Sequence, residues 1–225
     1  MVEEKWLKRS QVIVESMLNM LQEEGKNLKI LDAGCGNGLF SEQIIKIGNE
    51  VWGIDKNKVV LKEAEKRGVK IFEGDLEKNL PFQDNFFDGI WCKDVLEHIF
   101  YTEKFLKECH RILKPKGVLI ITARNIASFS NRIRLIFGIY PLNVAPSEKG
   151  YPGDEHPHPR FADHKRVFTK SIFEEVLKRL GFEVEKITSD FVCFNFGRYN
   201  DPPWSEFLGK IFPVLGEVLI AKARK

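Results

Sequence analysis

Acidic residues stand at the ends of three short apolar segments in the first third of the chain. Asp32 lies near the end of the first segment, Asp55 directly follows the second, and Asp75 follows the third after Gly74. Because the carboxyl ends of parallel strands meet at one edge of a sheet, these carboxylates are expected to converge. There they can accept hydrogen bonds and attract a positively charged ligand. The spacing therefore predicts a binding site for a small, partly cationic molecule.

A glycine-rich turn, Gly34–Gly38, begins two residues after Asp32 and has the spacing G-x-G-x-G. Glycines let a ligand approach the backbone without meeting a Cβ atom. A phosphate-binding turn usually has the spacing G-x-G-x-x-G or a nearby cation. No Lys or Arg occurs from Ile30 to Ser41. The turn is therefore better suited to a ligand with ammonium and sulfonium charge than to a pyrophosphate, and an NAD-linked oxidoreductase is disfavoured.

A longer set of motifs in this order resembles the class I S-adenosylmethionine-dependent methyltransferases. The resemblance is close over residues 28–122 and looser beyond them. The matching segments are Ile30–Gly38, Asp55, Gly74–Asp75, Phe87–Asp88, Val95–Ile99 and Arg111–Gly117, followed by His164–Thr169 and Gly181–Val184.

The resemblance implies S-adenosyl-L-methionine as the cofactor and a site built from the glycine turn and the strand ends. Asp55 would hold the ribose, and Asp75 with the backbone of Leu76 would meet the adenine. Asp32 would lie near the amino-acid end of the cofactor, and Lys93 would line its methionine portion through the backbone. The full set of expected cofactor-binding residues is Asp32, Gly34, Cys35, Gly36, Asp55, Lys56, Asp75, Leu76 and Lys93.

The pattern of elements around these residues indicates an α/β protein. Short apolar strands alternate with amphipathic helices up to residue 122, which predicts a doubly wound, three-layer, Rossmann-like sheet. The resemblance implies seven mostly parallel strands in the order 3-2-1-4-5-7-6, the last antiparallel. We expect one domain over residues 1–225, with an N-terminal helix in 1–25. Two insertions, 123–165 as a substrate lid and an irregular 193–213, interrupt the pattern.

Two histidines are the candidate catalytic residues, His98 after the fourth strand and His164 at the end of the first insertion. Either could be the base that the reaction needs when the acceptor is a poorly ionised hydroxyl or an acidic carbon. His98 could equally be a structural histidine. A divalent metal bound by Asp94, Glu97 and His98 is a further alternative, but the spacing defines no tight ligand set and we expect no metal.

The reaction expected from these motifs is methyl transfer from S-adenosylmethionine to a small acceptor. Aromatic residues in the two insertions suggest that the acceptor is partly apolar. The acceptor atom, whether oxygen, nitrogen or carbon, stays open. An RNA methyltransferase would need a basic face with stacking aromatics, and scattered arginines keep this alternative open. A non-catalytic relative that binds the cofactor and acts as a partner protein is the third possibility.

Composition limits the partners of the protein. The chain has 225 residues and a net charge of +3, which does not indicate nucleic-acid binding. The start of the chain lacks the pattern of a secretory signal, and no apolar run approaches the roughly 20 residues that span a bilayer. We therefore expect a cytoplasmic protein without integral membrane association, of open oligomeric state. The basic and apolar segment Ile126–Gly138 is expected to pack against the protein rather than a membrane surface.

Overall fold

The computed structural model of the chain describes residues 2–142, 144, 164–193 and 204–225, with side chains from residue 10 onward. Seven strands form one sheet in the order β3-β2-β1-β4-β5-β7-β6. Strands β1 to β5 are parallel, and β7 runs antiparallel between β5 and β6. This confirms the predicted fold class and strand order. The strands are β1 Lys29–Ala33, β2 Glu50–Asp55, β3 Lys70–Glu73, β4 Phe87–Cys92, β5 Leu113–Arg124, β6 Glu183–Ser189 and β7 Val218–Arg224.

Helices cover both faces of the sheet and connect its strands. Short 3-10 turns lie at Leu96–His98 and Pro213–Leu215. No helix in the described part of the chain combines the length and the apolar character that crossing a bilayer requires. The helices are α1 Val2–Gln22, α2 Ser41–Lys46, α3 Lys58–Lys66, α4 Thr102–Ile112, α5 Phe129–Ile136, α6 Lys170–Arg179 and α7 Trp204–Ile211.

The core consists of two apolar layers, one on each face of the sheet, because alternate strand residues point to opposite faces. Ile30 of β1 packs in the layer that contains Met17 of α1. Its neighbour Leu31 packs in the other layer, with Phe105 of α4. The inner strands β1, β4, β5 and β7 are buried on both faces, as expected of a sheet covered by helices, whereas the edge strands β3 and β6 are partly exposed. This packing holds the strand ends, and the loops that follow them, in fixed positions.

Strand β5 begins at Leu113, before Pro115–Gly117, residues of the kind that usually form a turn. Leu113 pairs with Phe87, and the next pair joins Val118 to Gly89, so the register shifts across these residues. The left-handed backbone of Lys116, with φ of 65°, absorbs the shift. The turn residues therefore form an irregularity in one strand.

The two insertions contain more helix than the sequence pattern predicted. Helix α7 lies within 193–213, a segment predicted to be irregular. The helix forms there because its apolar residues Trp204, Phe207 and Ile211 recur at helical spacing. In the first insertion, α5 does not bury its apolar carboxyl-terminal half, since Ile136 is 74% exposed. The expectation that this segment packs against the protein is therefore wrong for that half. The rest of the predicted lid, residue 143 and residues 145–163, lies outside the described residues.

Candidate active site

The glycine turn after β1 is held against the end of β2. The backbone N–H groups of Gly34 and Cys35 both donate to the carbonyl oxygen of Ile54, at 2.8 and 3.2 Å. A Cβ atom on Gly34 would lie 2.5 Å from Val95 Cγ2, so this position needs glycine. Gly36 also has a positive φ, of 53°, but no atom lies within 4 Å of where its Cβ would be. The turn therefore presents an open backbone face at Gly36.

Asp55, at the end of β2, fixes the conformation of this turn. One carboxylate oxygen accepts the N–H of Gly36 at 3.0 Å, and the other accepts the N–H of Asn57 at 2.9 Å. Each oxygen keeps a further lone pair that a ligand hydroxyl can use. Lys56, which follows, is exposed to solvent. Asp55 thus lies beside the open face of Gly36, where the sequence placed the ribose site.

Asp32 is a buried carboxylate beneath the turn. It accepts a hydrogen bond of 2.5 Å from the hydroxyl of Ser41, the first residue of α2. Burial raises the pKa of Asp32 to about 6, and the nearby charge of Asp55 adds to this effect. The Ser41 hydrogen bond and the charge of Lys93 act in the opposite direction. A cationic ligand group near Asp32 would therefore stabilise a carboxylate that burial disfavours.

Lys93 brings a buried cation into the same region, directly after β4. Its side chain is only 4% exposed and forms an ion pair with Asp94. Its ammonium lies 3.4 Å from Ser10 Oγ of α1 and 4.5 Å from the centre of the Phe40 ring. The sequence assigned only the backbone of Lys93 and missed Ser10 and Phe40. A lysine at the end of an apolar buried strand was the available signal, because buried lysines are rare without a partner.

The remaining predicted cofactor residues have different environments. Asp75 is exposed after β3 and accepts the N–H of Glu77 at 3.0 Å. Leu76 packs into the core, so only its backbone is suited to face a ligand. The thiol of Cys35 is buried, and burial together with the charge of Asp32 raises its pKa far above the ordinary value. This thiol stays protonated and is not a nucleophile. Asp75, Asp55 and Asp32 thus lie at or near the carboxyl ends of the three neighbouring strands β3, β2 and β1.

The two candidate catalytic histidines, His98 and His164, pack against each other. Their ring centres lie 5.0 Å apart, and the rings meet edge to face at 68°. His98 belongs to the 3-10 turn after β4. The N–H groups of Lys165 and Arg166 both donate to the Glu97 carbonyl, at 2.7 and 3.2 Å, and so hold the segment of His164 against that turn.

Arg124, the last residue of β5, links the two acidic residues of this region. Its Nε donates to Glu97 Oε1 at 2.7 Å, and a terminal nitrogen donates to Asp94 Oδ1 at 3.1 Å. Burial alone would raise the pKa of Asp94, but the charges of Lys93 and Arg124 outweigh it and hold this pKa well below its ordinary value. Asp94 has a left-handed backbone, and its N–H donates to Thr122 Oγ1. The sequence did not identify Arg124 as the residue that organises this corner.

Glu97, His98 and His164 are the described residues that could together hold a metal ion. One ligand atom from each lies within 4.8 Å of the others. The spacing in the sequence had pointed instead to Asp94, Glu97 and His98, but Asp94 forms ion pairs with Lys93 and Arg124. Glu97 is also already neutralised by Arg124. The expectation of no metal therefore stays a prediction, to be tested with a chelator.

The chain matches known methyltransferases over much of its length. Residues 31–121 match the family described as methyltransferase domain. The mitochondrial ubiquinone biosynthesis O-methyltransferase of Mus musculus is 29% identical over 171 residues, which are 71% of this chain and 42% of that protein. The ubiquinone biosynthesis O-methyltransferase of Actinobacillus pleuropneumoniae serotype 5b is 30% identical over 142 residues, covering 57% and 61%. The chain thus spans less than half the length of the mouse relative.

The fold itself is that of solved methyltransferase structures. A structure from Thermotoga maritima, described as a possible histamine N-methyltransferase, superimposes with a TM-score of 0.69 at 22% identity. The superposition covers 99% of this chain and 94% of that chain. The fold is therefore that of S-adenosylmethionine-dependent methyltransferases, and residues 31–121 carry the match to the methyltransferase domain family. The open face at Gly36, between the carboxylates of Asp32 and Asp55, fits a ligand that carries ribose hydroxyls and an ammonium group.

Proposed function

We propose that this protein transfers a methyl group from S-adenosylmethionine to a hydroxyl oxygen of a small, partly apolar acceptor. The observation that carries the proposal is the position of the His98–His164 pair. His98 follows β4 and packs against His164, and β4 lies next in the sheet to β1, whose turn presents the open face at Gly36. Curated relatives that act in ubiquinone biosynthesis as O-methyltransferases support the choice of oxygen.

Residues at four strand ends would hold the cofactor, which when bound supplies a methyl group on a sulfonium centre. Asp55 accepts hydrogen bonds from the ribose hydroxyls, and Asp75 with the Leu76 backbone contacts the adenine. At the amino-acid end, Asp32 pairs with the ammonium and Lys93 pairs with the carboxylate. The amino-acid end of the cofactor carries one positive and one negative charge, and each of them meets a buried side chain of opposite charge. The site is completed by the backbone of the turn at Gly34, Cys35 and Gly36 and by Lys56, which follows β2.

The histidine pair would remove the proton of the acceptor hydroxyl. A phenolic hydroxyl has a pKa of about 10, so a base within hydrogen-bond reach increases its nucleophilicity at neutral pH. His98 and His164 are held by the 3-10 turn and by the bonds from residues 165 and 166 to Glu97. Arg124 fixes Glu97 and so positions that turn. We extend the proposal to residues 123–165, which as a lid would exclude water from the acceptor.

We also propose a cytoplasmic location for the protein. The support is its cysteine chemistry, because all four cysteines are buried free thiols. Free thiols of this kind are typical of reducing compartments.

The test is a methyl-transfer assay with labelled S-adenosylmethionine and a panel of acceptors. We expect label in catechols that carry an apolar side chain and none in histamine or transfer RNA. Asp55→Ala should abolish cofactor binding and transfer together, whereas Asp84→Ala, which removes an exposed carboxylate outside the site, should change neither. Binding of S-adenosylhomocysteine without transfer to any acceptor would indicate the non-catalytic alternative, and label in RNA would indicate the RNA methyltransferase.

A further inference from the structure

Exposed apolar side chains concentrate in two stretches of the chain. Fourteen large hydrophobic residues among those described are exposed, and ten of them belong to these stretches. The first stretch includes the carboxyl-terminal half of α5, and the second includes α7 and the 3-10 turn after it. The ten residues are Leu135, Ile136, Phe137, Ile139, Tyr140, Trp204, Phe207, Ile211, Phe212 and Val214.

The two stretches are neighbours at the carboxyl edge of the sheet. Strands β5 and β6 both pair antiparallel with β7 and therefore end on the same side. Helix α5 follows β5, and α7 follows β6. The Asn125 side chain joins the two stretches, since its amide nitrogen donates to the carbonyls of Val214 at 3.1 Å and Gly216 at 2.7 Å. We call the exposed face of these stretches the α5–α7 surface.

The α5–α7 surface carries positive charge. Residues 109–147 contain no Asp or Glu, whereas α5 carries Arg132 and Arg134. Their Nε groups donate to backbone carbonyls, those of Ala127 at 2.6 Å and Tyr140 at 2.7 Å. No carboxylate in the described parts of the chain forms an ion pair with either arginine. The charges of α7 cancel nearby, because Lys210 pairs with Glu206 at 2.6 Å.

An occupant of this surface must accept apolar side chains and carry negative charge. A second copy of the same surface would bring the arginines of both copies together, which is unfavourable. The interface of an anionic bilayer offers acyl chains for the apolar residues and headgroups for the guanidinium groups. Trp204 and Tyr140 are residue types that concentrate at this depth of a membrane.

We propose that the α5–α7 surface binds the protein reversibly to anionic lipid bilayers. Bilayer binding itself does not depend on methyl transfer. If the acceptor is apolar, as proposed above, the same contact gives it a route to the enzyme, because Arg124 and Asn125 lie where β5 meets the candidate active site.

Sedimentation with vesicles tests the proposal. We expect the protein to pellet with equimolar phosphatidylglycerol and phosphatidylcholine vesicles, and about tenfold less with phosphatidylcholine alone. Salt at about 0.5 M should reduce binding, because exposed charges are then screened. Ile136→Ser with Phe137→Ser removes side chains that are 74% and 73% exposed, and should weaken binding about tenfold without unfolding the protein.

Matched control variants distinguish lipid binding through the α5–α7 surface from nonspecific lipid binding by exposed apolar or basic side chains elsewhere. Val59→Ser removes an apolar side chain that is 72% exposed on α3, and should bind vesicles like the wild type. Arg132→Gln with Arg134→Gln should weaken binding, whereas Lys62→Gln with Lys66→Gln on exposed positions of α3 should not. The proposal fails if the wild type does not bind anionic vesicles, or if both sets of variants bind equally. It also fails if ultracentrifugation without lipid shows a dimer that the Ile136 and Phe137 substitutions dissociate.

Discussion

The rings of His98 and His164 lie edge to face with centres 5.0 Å apart, although 65 residues separate them in the chain. The contact forms because the backbone of residues 165 and 166 is hydrogen-bonded to the turn that contains His98. Imidazole is the side chain that most often acts as a general base in enzymes. The pair therefore offers two candidates for the base of the proposed reaction, and each histidine can be tested separately.

We expect His98→Gln and His164→Gln each to lower kcat by about a hundredfold, the usual contribution of a general base. Affinity for S-adenosylhomocysteine should not change. A nitrocatechol acceptor, which ionises without help, should restore most of the rate if the lost function is proton removal. His110→Gln is the control, because His110 packs against Phe182 away from the pair. Loss of rate that the acidic acceptor does not restore would show that the histidine shapes the site instead.

The sequence predicted the fold well because its signals are local. The positions of the strand ends follow from the periodicity of the apolar residues, and the position of the turn follows from its glycines. Gly34 is required there because a Cβ atom at this position would clash with Val95. The carboxylates of Asp32 and Asp55 were predictable for the same reason. Each lies within two residues of the end of an apolar strand.

The contacts that the sequence could not predict join residues far apart in the chain. The ammonium of Lys93 meets Ser10, and Arg124 meets Glu97, through side-chain geometry that no local pattern encodes. Helix α7 was missed because its apolar spacing extends over only eight residues, directly after Pro202 and Pro203.

Arg124→Met should destabilise the protein by about 3–5 kcal/mol, because the buried carboxylates of Glu97 and Asp94 would lose the guanidinium that pairs with them. Glu97 is 1% exposed and Arg124 is 16% exposed, so water cannot replace the lost partner fully. Urea unfolding measures the change. Arg67→Met removes a pair with Glu42 in which both side chains are about one-third exposed, and should cost less than about 1 kcal/mol. Equal losses of unfolding free energy in the two variants would show that the Arg124 ion pairs stabilise the protein no more than the Arg67–Glu42 pair does.

Cofactor binding should depend on pH through Asp32. Its pKa of about 6 lies above the ordinary 3.8, so the free folded protein holds an extra proton between these values. Stability of the free protein should therefore fall as pH rises from about 4 to 6, by at most about 3 kcal/mol. The ammonium of the cofactor favours ionised Asp32, so affinity for S-adenosylhomocysteine should rise over pH 5 to 7. Calorimetry should also show proton release.

Asp32→Asn provides the control for this pH dependence. The variant cannot ionise, so its affinity for S-adenosylhomocysteine should be lower at pH 7 and nearly flat below it. Its unliganded form should be more stable than the wild type above pH 6. Lys93 and Asp55 are the charged groups that act on Asp32, and both are retained. A wild-type pH dependence that persists in Asp32→Asn would have to come from another group, such as the histidine pair.

Methyl transfer should survive treatment with a chelator. Arg124 already forms an ion pair with Glu97, the one carboxylate of the Glu97, His98 and His164 cluster, so we expect the histidines to act without a metal. The assay compares rates before and after dialysis against EDTA. A loss of rate that Mg²⁺, Mn²⁺ or Zn²⁺ restores would replace the histidine base with a metal-bound acceptor.

Lys93 should recognise the carboxylate of the cofactor. Its buried ammonium lies beside Asp94 and Ser10 and interacts with the charge of Asp32. We expect the wild type to bind S-adenosylhomocysteine at least tenfold more tightly than its decarboxylated analogue, the effect of one charge-assisted hydrogen bond. Lys93→Met should remove this difference, and Lys93→Arg should keep part of it. Affinity for 5′-methylthioadenosine, which lacks the amino-acid end, should stay within about twofold. If Lys93→Met weakens all three ligands equally, Lys93 supports the glycine turn and does not contact the carboxylate.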